Sequence, residues 1–371
     1  MSSSQPQELD IKKNYPLAGL TTLKVGGNAD YYIEVRGSGE LKAALEWGRT
    51  KKVPITTLGG GSNLVVSDVG FRGLVVHMRM RGIEGEVRGS RALLTAAAGE
   101  PWDAVVAYAV EHDWAGIENL SGIPGSMGGA VVQNINAYGQ VMGDTVREVE
   151  AFNVLNGQIQ RFNNAACKFA YRDSFFKHEA LGTYILTAIT LQLVVHGRVD
   201  SSYQSAQGSL SEQLGDQAPT LKTMRETVLN TRNKKGHVLL QGFEHFRSVG
   251  SFFTNPIVSR EIFERARATA LERNAELEER LRPWFWELPG GRIKISAAFL
   301  IEYTKFVKGY RRDAVGISPR HILSLVTYPG ATAEQLVGLA RDIQVATRDI
   351  FAIVLLPEAQ MVGFDPYPLL T

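Results

Sequence analysis

The chain has 371 residues, is 44% apolar and carries a formal net charge of +2. That length exceeds one ordinary core and calls for two or three domains, while the small charge gives no reason to expect nucleic acid or an acidic membrane surface as a partner. A lone cysteine, Cys167, excludes an intrachain disulfide and a cysteine-built metal site and fits a reducing compartment, and no apolar run approaches the ~20 residues that span a bilayer.

Residues 1–13 are polar and read as a loose tail without the apolar core of a signal peptide, so a cytoplasmic setting is expected. Short β-type runs follow at Ala29 to Val35, Val53 to Leu58, Leu64 to Ser67 and Gly73 to Val76. Helical stretches are predicted near Glu40 to Arg49 and from Pro101 to His112, the second with proline at its start. Val149 to Leu155 and Gln158 to Phe162 flank Asn156-Gly157, which predicts a hairpin with a two-residue type I′ turn. Tyr184 to Val195 alternates as a half-buried strand does. From His196 to Thr220 the chain is rich in Ser, Gln and Gly and reads as a long loop. Leu221 to Asn230 reads as a helix, and a composition shift over Leu221 to Lys235 suggests a boundary to a second, α+β region. Arg260 to Arg282 reads as a helix with a solvated charged face, and Thr332 to Phe351 as an amphipathic helix followed by an apolar strand, Ala352 to Leu356.

Two glycine-rich stretches interrupt this pattern. "LGGGSNLVVSD" sets Gly59, Gly60, Gly61, Ser62 and Asn63 between two short strands, with Leu64 opening the second. A Rossmann or Walker loop opens a helix, so this is neither. It is either a ligand-free hairpin or a place where backbone comes close to a phosphate. The second, "ENLSGIPGSMGGAVVQNINAYG", brings small residues and neutral amides with almost no charge. Such residues suit a ligand lying against the backbone, its pyrophosphate held by N–H dipoles, and two such loops suggest one large nucleotide cofactor.

Four further places carry chemistry or packing. Arg172, in "FAYRDSFFKH", either grips a carboxylate or forms a structural ion pair. "NTRNKKGH" supplies Arg232, Lys234 and Lys235 as phosphate ligands or solvated charges. In "RSVGSFFTNP", Ser251 is either part of a tight corner or a proton donor in an apolar pocket. Glu358, after an apolar run, is either a partly desolvated acid fit for proton transfer or a solvated strand end. The seven histidines show no metal-ligand spacing.

Taken together and in this order, "LGGGSNL", "SGIPGSMGGAVVQNINAYG", "YRDSFFKH", "GSFFTNP" and the C-terminal "PE" resemble the UDP-N-acetylenolpyruvoylglucosamine reductases, over nearly the whole chain past its tail. The resemblance implies an α+β protein whose FAD-binding region has two subdomains of the vanillyl-alcohol-oxidase type, followed by an α+β substrate-binding domain. It places the subdomains at 14–80 and 81–228, with 352–371 returning to the second, and the substrate domain at 229–351. It implies noncovalent FAD, NADPH as hydride donor, and reduction of an enolpyruvyl sugar nucleotide in peptidoglycan synthesis. Ser251 then matches the proton donor, Glu358 a second catalytic acid and Arg172 the arginine near the substrate carboxylate. Substrate contacts are implied at Tyr203, Lys235, Asn255, Lys308 and His321. FAD contacts are implied at Gly59, Gly60, Gly61, Ser62, Asn63 and Leu64 in the first loop. In the second they are Asn119, Ser121, Gly122, Ile123, Gly125, Ser126, Gly128, Gly129, Gln133, Asn134, Tyr138 and Gly139, with Tyr171 and Arg232 beyond it.

Gln360 stands where one subgroup of that family has an arginine, and the segment Ala275 to Gly291 is longer and more aromatic than expected. The rival readings are a flavin oxidase or dehydrogenase of the same fold acting on another substrate, and a nonenzymatic nucleotide-binding module. The module has no use for Ser251, Arg172 and Glu358 together.

Overall fold

The computed structural model describes residues 9–199, 218–240 and 246–371. The chain forms two compact units, each discontinuous in sequence. The first comprises residues 1–15, 29–61 and 71–245, and the second comprises 16–28, 62–70 and 246–371.

The first unit holds two sheets. In one, strand Asn28–Val35 pairs in parallel with Phe71–Met78, which pairs in parallel with Ile55–Leu58, and strand Lys12–Pro16 forms the opposite edge. Helix Ser38–Lys51 is the crossover that parallel pairing requires. It buries Leu41, Ala44, Leu45 and Gly48. The other sheet is antiparallel, and the long strand Tyr184–Val195 lies near its middle, paired with Val146–Asn153 on one side and Arg91–Ala97 on the other. Its alternation holds as expected, with Ile189, Leu191 and Leu193 buried among Trp102, Val105 and Met127. Helix Trp102–Glu111 fixes its start to the second glycine stretch, Trp102 Nε1 donating to the Leu120 carbonyl at 3.0 Å.

The hairpin at 149–162 forms, but not with the two-residue turn expected. Phe152 pairs with Ile159, and the Asn153 N–H donates to the Gln158 carbonyl, which leaves a four-residue loop. The Asn153 carboxamide accepts from the N–H groups of Leu155 and Asn156, and only Gly157 takes a positive φ, of 74°. A type I′ turn needs two residues at positive φ, and the Asn153 cap selects the wider loop instead.

The second unit contains a four-stranded antiparallel sheet in the order Arg247–Ser248, Leu325–Thr327, Val315–Ile317, Arg311–Arg312. It also has a three-stranded sheet of Ile257–Ser259, Arg292–Ile295 and Phe285–Glu287. Its core takes Leu23, Val25 and Val65 from the two N-terminal insertions. The Asp68 carboxylate accepts from the N–H groups of Ala333 and Glu334 at 2.8 and 2.9 Å, helping to start helix Ala333–Phe351.

Residues 352–371 lie in this second unit, which corrects the expected return to the first region. Leu355 and Leu369 belong to its core, and Gln360–Val362 pairs in parallel with Leu64–Val66. The apolar run at 352–356 is not a strand, because its polar groups are bonded elsewhere. The Leu355 carbonyl accepts from Gln344 Nε2, and the Leu356 carbonyl from the Thr254 N–H. The helix expected over 260–282 spans Arg260–Arg280 with a break at Asn274 (φ −166°, ψ 90°). The aromatic segment beyond it is core material. Trp284 stacks on Phe299 at 3.9 Å and donates to the buried Glu278 carboxylate, which Arg282 also grips. Among the described residues, no helix is long and apolar enough to cross a membrane.

Candidate functional site

The two glycine stretches meet inside the first unit. A Cβ on Gly60 would lie 2.6 Å from Gly125 Cα, and one on Gly59 would lie 2.4 Å from Ser126 Oγ. Gly61, Gly122, Gly125 and Gly139 have φ of 64°, 70°, 127° and 89°, a region that suits residues without a Cβ. Gly59 and Gly60 thus line, with Gly122, Ile123, Gly125 and Ser126, a cleft of about 260 Å³. Two glycine loops packed this closely leave bare backbone along the cleft, which fits a flat, anionic dinucleotide.

Other residues of the second stretch build the cradle from behind. Asn119 is fully buried and donates from Nδ2 to the Tyr138 carbonyl at 2.8 Å. Ser121 Oγ donates to the Glu118 carbonyl at 2.6 Å. Asn134 (φ 44°) donates to the Ala170 carbonyl and accepts from the Gly143 N–H. Ser126 caps the short helix Met127–Val132, in which Gly128 lets its own N–H reach the Ala98 carbonyl at 2.9 Å and Gly129 supplies the capped N–H; Gln133 follows it, mostly buried.

Sequence reading expected the pyrophosphate to be held by N–H groups alone. The cleft also presents Arg79, Arg81, Asp103 and His77, none of them anticipated. Arg79 and His77 carried a signal, since both stand at the end of the strand beside the glycine loop, where open α/β sheets bind ligands. His77 Nδ1 lies 2.7 Å from Tyr32 Oη, and its ring also bonds the Gly59 backbone. Burial, reinforced by the charge of Arg79, pushes the imidazole down to about 4, so it is neutral at neutral pH.

A cationic group stands beside the second stretch. Arg172 has φ 56° at the tip of a turn closed by paired Ala170–Asp173 hydrogen bonds, and Lys177 Nζ donates to its carbonyl. Arg232, at the end of helix Leu221–Lys234, is half-buried, and its Nε is fully buried with no acceptor among the described residues. Burial holds its guanidinium below the usual arginine value, opposed by the charges of Tyr138 and Asp103. Lys235 lies 5.7 Å from the Tyr138 ring centroid, and burial together with Arg232 lowers its ammonium too. Tyr171 is half-buried beside Arg172 in sequence. An anion would relieve this crowding of positive charge.

The second unit brings Ser251 and Glu358 onto facing segments. Gly250 turns at φ 75°, and Phe252 and Phe253 are buried, which leaves Ser251 half-buried at the corner. The Glu358 N–H donates to the Phe252 carbonyl at 2.7 Å, Phe253 bridges Pro357, and the Thr254 N–H reaches the Leu356 carbonyl. In the same unit Asn63 Nδ2 donates to the Glu358 carbonyl, and the Gln360 N–H donates to the Asn63 carbonyl. Asn255 Oδ1 accepts from the Ala297 N–H at 2.9 Å, which commits part of its carboxamide to a helix start. His321 Nδ1 lies 3.4 Å from Ser324 Oγ, Lys308 is exposed, and Ser62 and Leu64 are half-buried. Tyr203 lies outside the described residues.

Comparison with known proteins bears on both units. Residues 29–163 match the family model "FAD binding domain", and residues 241–362 match "UDP-N-acetylenolpyruvoylglucosamine reductase, C-terminal domain". The chain is 39% identical to the UDP-N-acetylenolpyruvoylglucosamine reductase of Thermobifida fusca over 95% of its own length and 98% of that protein's. It is 37% identical to that of Streptomyces coelicolor, over 94% of this chain and 89% of the relative. The crystal structure of the Thermus caldophilus reductase superposes with a TM-score of 0.63 at 24% identity, covering 96% of this chain and 99% of that one. The mixed α/β fold, with an FAD-binding domain followed by the C-terminal domain of these reductases, is therefore the one expected.

Proposed function

The chain belongs to the UDP-N-acetylenolpyruvoylglucosamine reductase family, and from that premise we propose how its own residues carry out the family's reaction. It reduces the enolpyruvyl group of UDP-N-acetylglucosamine enolpyruvate to UDP-N-acetylmuramate with NADPH, a step of peptidoglycan synthesis. Bound FAD supplies the hydride that C3 receives. The substrates are soluble, and the protein acts in the cytoplasm.

Gly59, Gly60, Gly122 and Gly125 hold the flavin's pyrophosphate against bare backbone, with Arg79 and Arg81 as counter-charges. The cofactor is held without a covalent tether: neither glycine stretch carries His or Cys, and the ring of His77 in the cleft is engaged by Tyr32 and the Gly59 backbone. Arg172 attracts the substrate carboxylate, on which negative charge grows as C3 is reduced, and Arg232 stands near the flavin. Ser251 delivers a proton to C2, and Glu358, as the second acid, donates from its carboxyl group to the same developing negative charge. Lys235, Asn255, Lys308 and His321 take the UDP portion.

The observation that carries this reading is the hydrogen bond from the Glu358 N–H to the Phe252 carbonyl. It fixes the carboxyl-bearing residue opposite the segment that bears Ser251. The test is Ser251→Ala, with the two half-reactions followed separately by stopped flow. NADPH consumption should proceed at the wild-type rate, while consumption of the enolpyruvyl substrate should fall by at least ~10²-fold, the usual worth of a positioned acid. Ser251→Cys should recover part of that loss. An unchanged second half-reaction in Ser251→Ala would make the serine a packing residue.

A further inference from the structure

Asp103 has no role in this reading, yet it is the most heavily bonded carboxylate beside the cleft. It stands in the first turn of helix Trp102–Glu111, and its side chain is 14% exposed. Its Oδ1 accepts from the Gly122 N–H at 2.6 Å and from Arg225 Nη1 at 2.7 Å, and its Oδ2 accepts from Arg225 Nη2 at 2.7 Å. One carboxylate therefore holds a glycine of the cleft and a two-pronged guanidinium from another helix. Burial alone pushes its pKa up, but the Arg225 fork, the Gly122 N–H and the charges of Arg225 and Arg232 outweigh that and hold the carboxyl below its ordinary value, so it stays ionised.

The partner helix, Leu221–Lys234, carries Arg225, Leu229 and Arg232 at spacings of four and three, so they share one face. That face lies on the glycine stretch. A Cβ on Gly122, whose φ is 70°, would meet Leu229 Cδ2 at 2.6 Å and Arg232 Nε at 3.6 Å. Lys235 follows at the end of the same helix, over Tyr138.

We propose that Asp103 is a positioning residue that ties the flavin cradle at Gly122 to helix Leu221–Lys234, so that cofactor retention and the placing of Lys235 for the substrate's UDP portion depend on one ion pair. This rests on the reading that the cradle holds FAD and that the helix end meets the UDP portion. Asp103 lines the cleft, but its oxygens are committed to the Gly122 N–H and the Arg225 fork rather than offered to a ligand. It acts through the Gly122 N–H and through Arg225, which does not line the cleft. An aspartate that merely stabilised the fold would shift the melting temperature and leave both ligands' affinities alone.

The experiment uses the full-length flavin-loaded protein. Release of FAD on dilution is followed by flavin fluorescence, and UDP binding is measured at saturating FAD by perturbation of the flavin spectrum. Asp103→Asn keeps the shape and removes the charge, and Arg225→Lys keeps the charge and removes the fork. Each should weaken both FAD retention and UDP binding by about 10-fold, as loss of one partner of a buried pair does. The double variant should be no worse than the poorer single one, and Asp103→Glu should recover part of both affinities. Wild-type affinities for both ligands in Asp103→Asn and Arg225→Lys, whatever their melting temperatures, would overturn the tie alone. A wild-type protein that retained no FAD would overturn the reading beneath it.

Discussion

Arg172 shows how much one residue's backbone can decide. Its φ of 56° is a region that non-glycine residues seldom occupy, and a closed turn holds it there. The strain is local and fixes where the guanidinium emerges. Lysine at this position keeps the charge and tolerates the same backbone, but loses the planar fork that matches a carboxylate. Arg172→Lys should therefore slow the half-reaction that consumes the enolpyruvyl substrate by about 10-fold or more, and the one that consumes NADPH by less than about 3-fold. Equal losses in both would assign the arginine to structure. His77 supplies a test by pH. Its folded value lies near 4 against an ordinary 6.5, so the unfolded chain takes up a proton that the folded one refuses. Its contribution to stability is complete above pH 6.5 and declines as the pH falls from 6.5 to about 4. The groups facing it, Tyr32, Glu34, Arg79 and Arg81, remain in His77→Gln. Urea denaturation should show the wild type losing about 2 kcal/mol more than His77→Gln across that window. Parallel curves would mean that His77 titrates alike folded and unfolded.

At the scale of elements, the decisive event is the meeting of two glycine stretches that are far apart in sequence. Taken one at a time, each glycine stretch is a place where backbone comes close to a phosphate, and a side chain there would intrude on the pyrophosphate. The geometry gives a different cause for the same outcome, because the Cβ of a residue at 60 would strike the backbone of Gly125 at 2.6 and 2.8 Å. Backbone cannot step aside as a flexible side chain can. Gly60→Val should give protein purified with less than about a tenth of the wild-type flavin and destabilised by about 2 kcal/mol, while Gly39→Ala, on an open helix surface, should be neutral or gain about 0.5 kcal/mol. Full flavin content in Gly60→Val would remove the cradle from the cofactor site. The hairpin at 149–162 makes the same point about turns: Asn156-Gly157 favours one loop in isolation, and the side chain of Asn153 selects another.

For the whole molecule, the sequence by itself determined the family and, through it, the reaction and its flavin cofactor. Glycines, the Ser251 corner and the order of the motifs are local signals, because each records a backbone conformation or a functional group needed at that position. Periodicity likewise located Tyr184–Val195 and the helices, since alternation and helical spacing reflect burial of one face. Only the tertiary structure decided the division of the chain. Residues 16–28 and 62–70 leave their sequence neighbours for a second core because Leu23, Val25 and Val65 are buried there, and nothing local announces which core an apolar residue joins. It also decided the electrostatics of the cleft. Asp103 and Arg225 stand 122 positions apart, and no composition or spacing links them. A buried carboxylate is stable only where folding brings it a cation and an N–H together, and that pairing is a property of three-dimensional packing rather than of any stretch of chain.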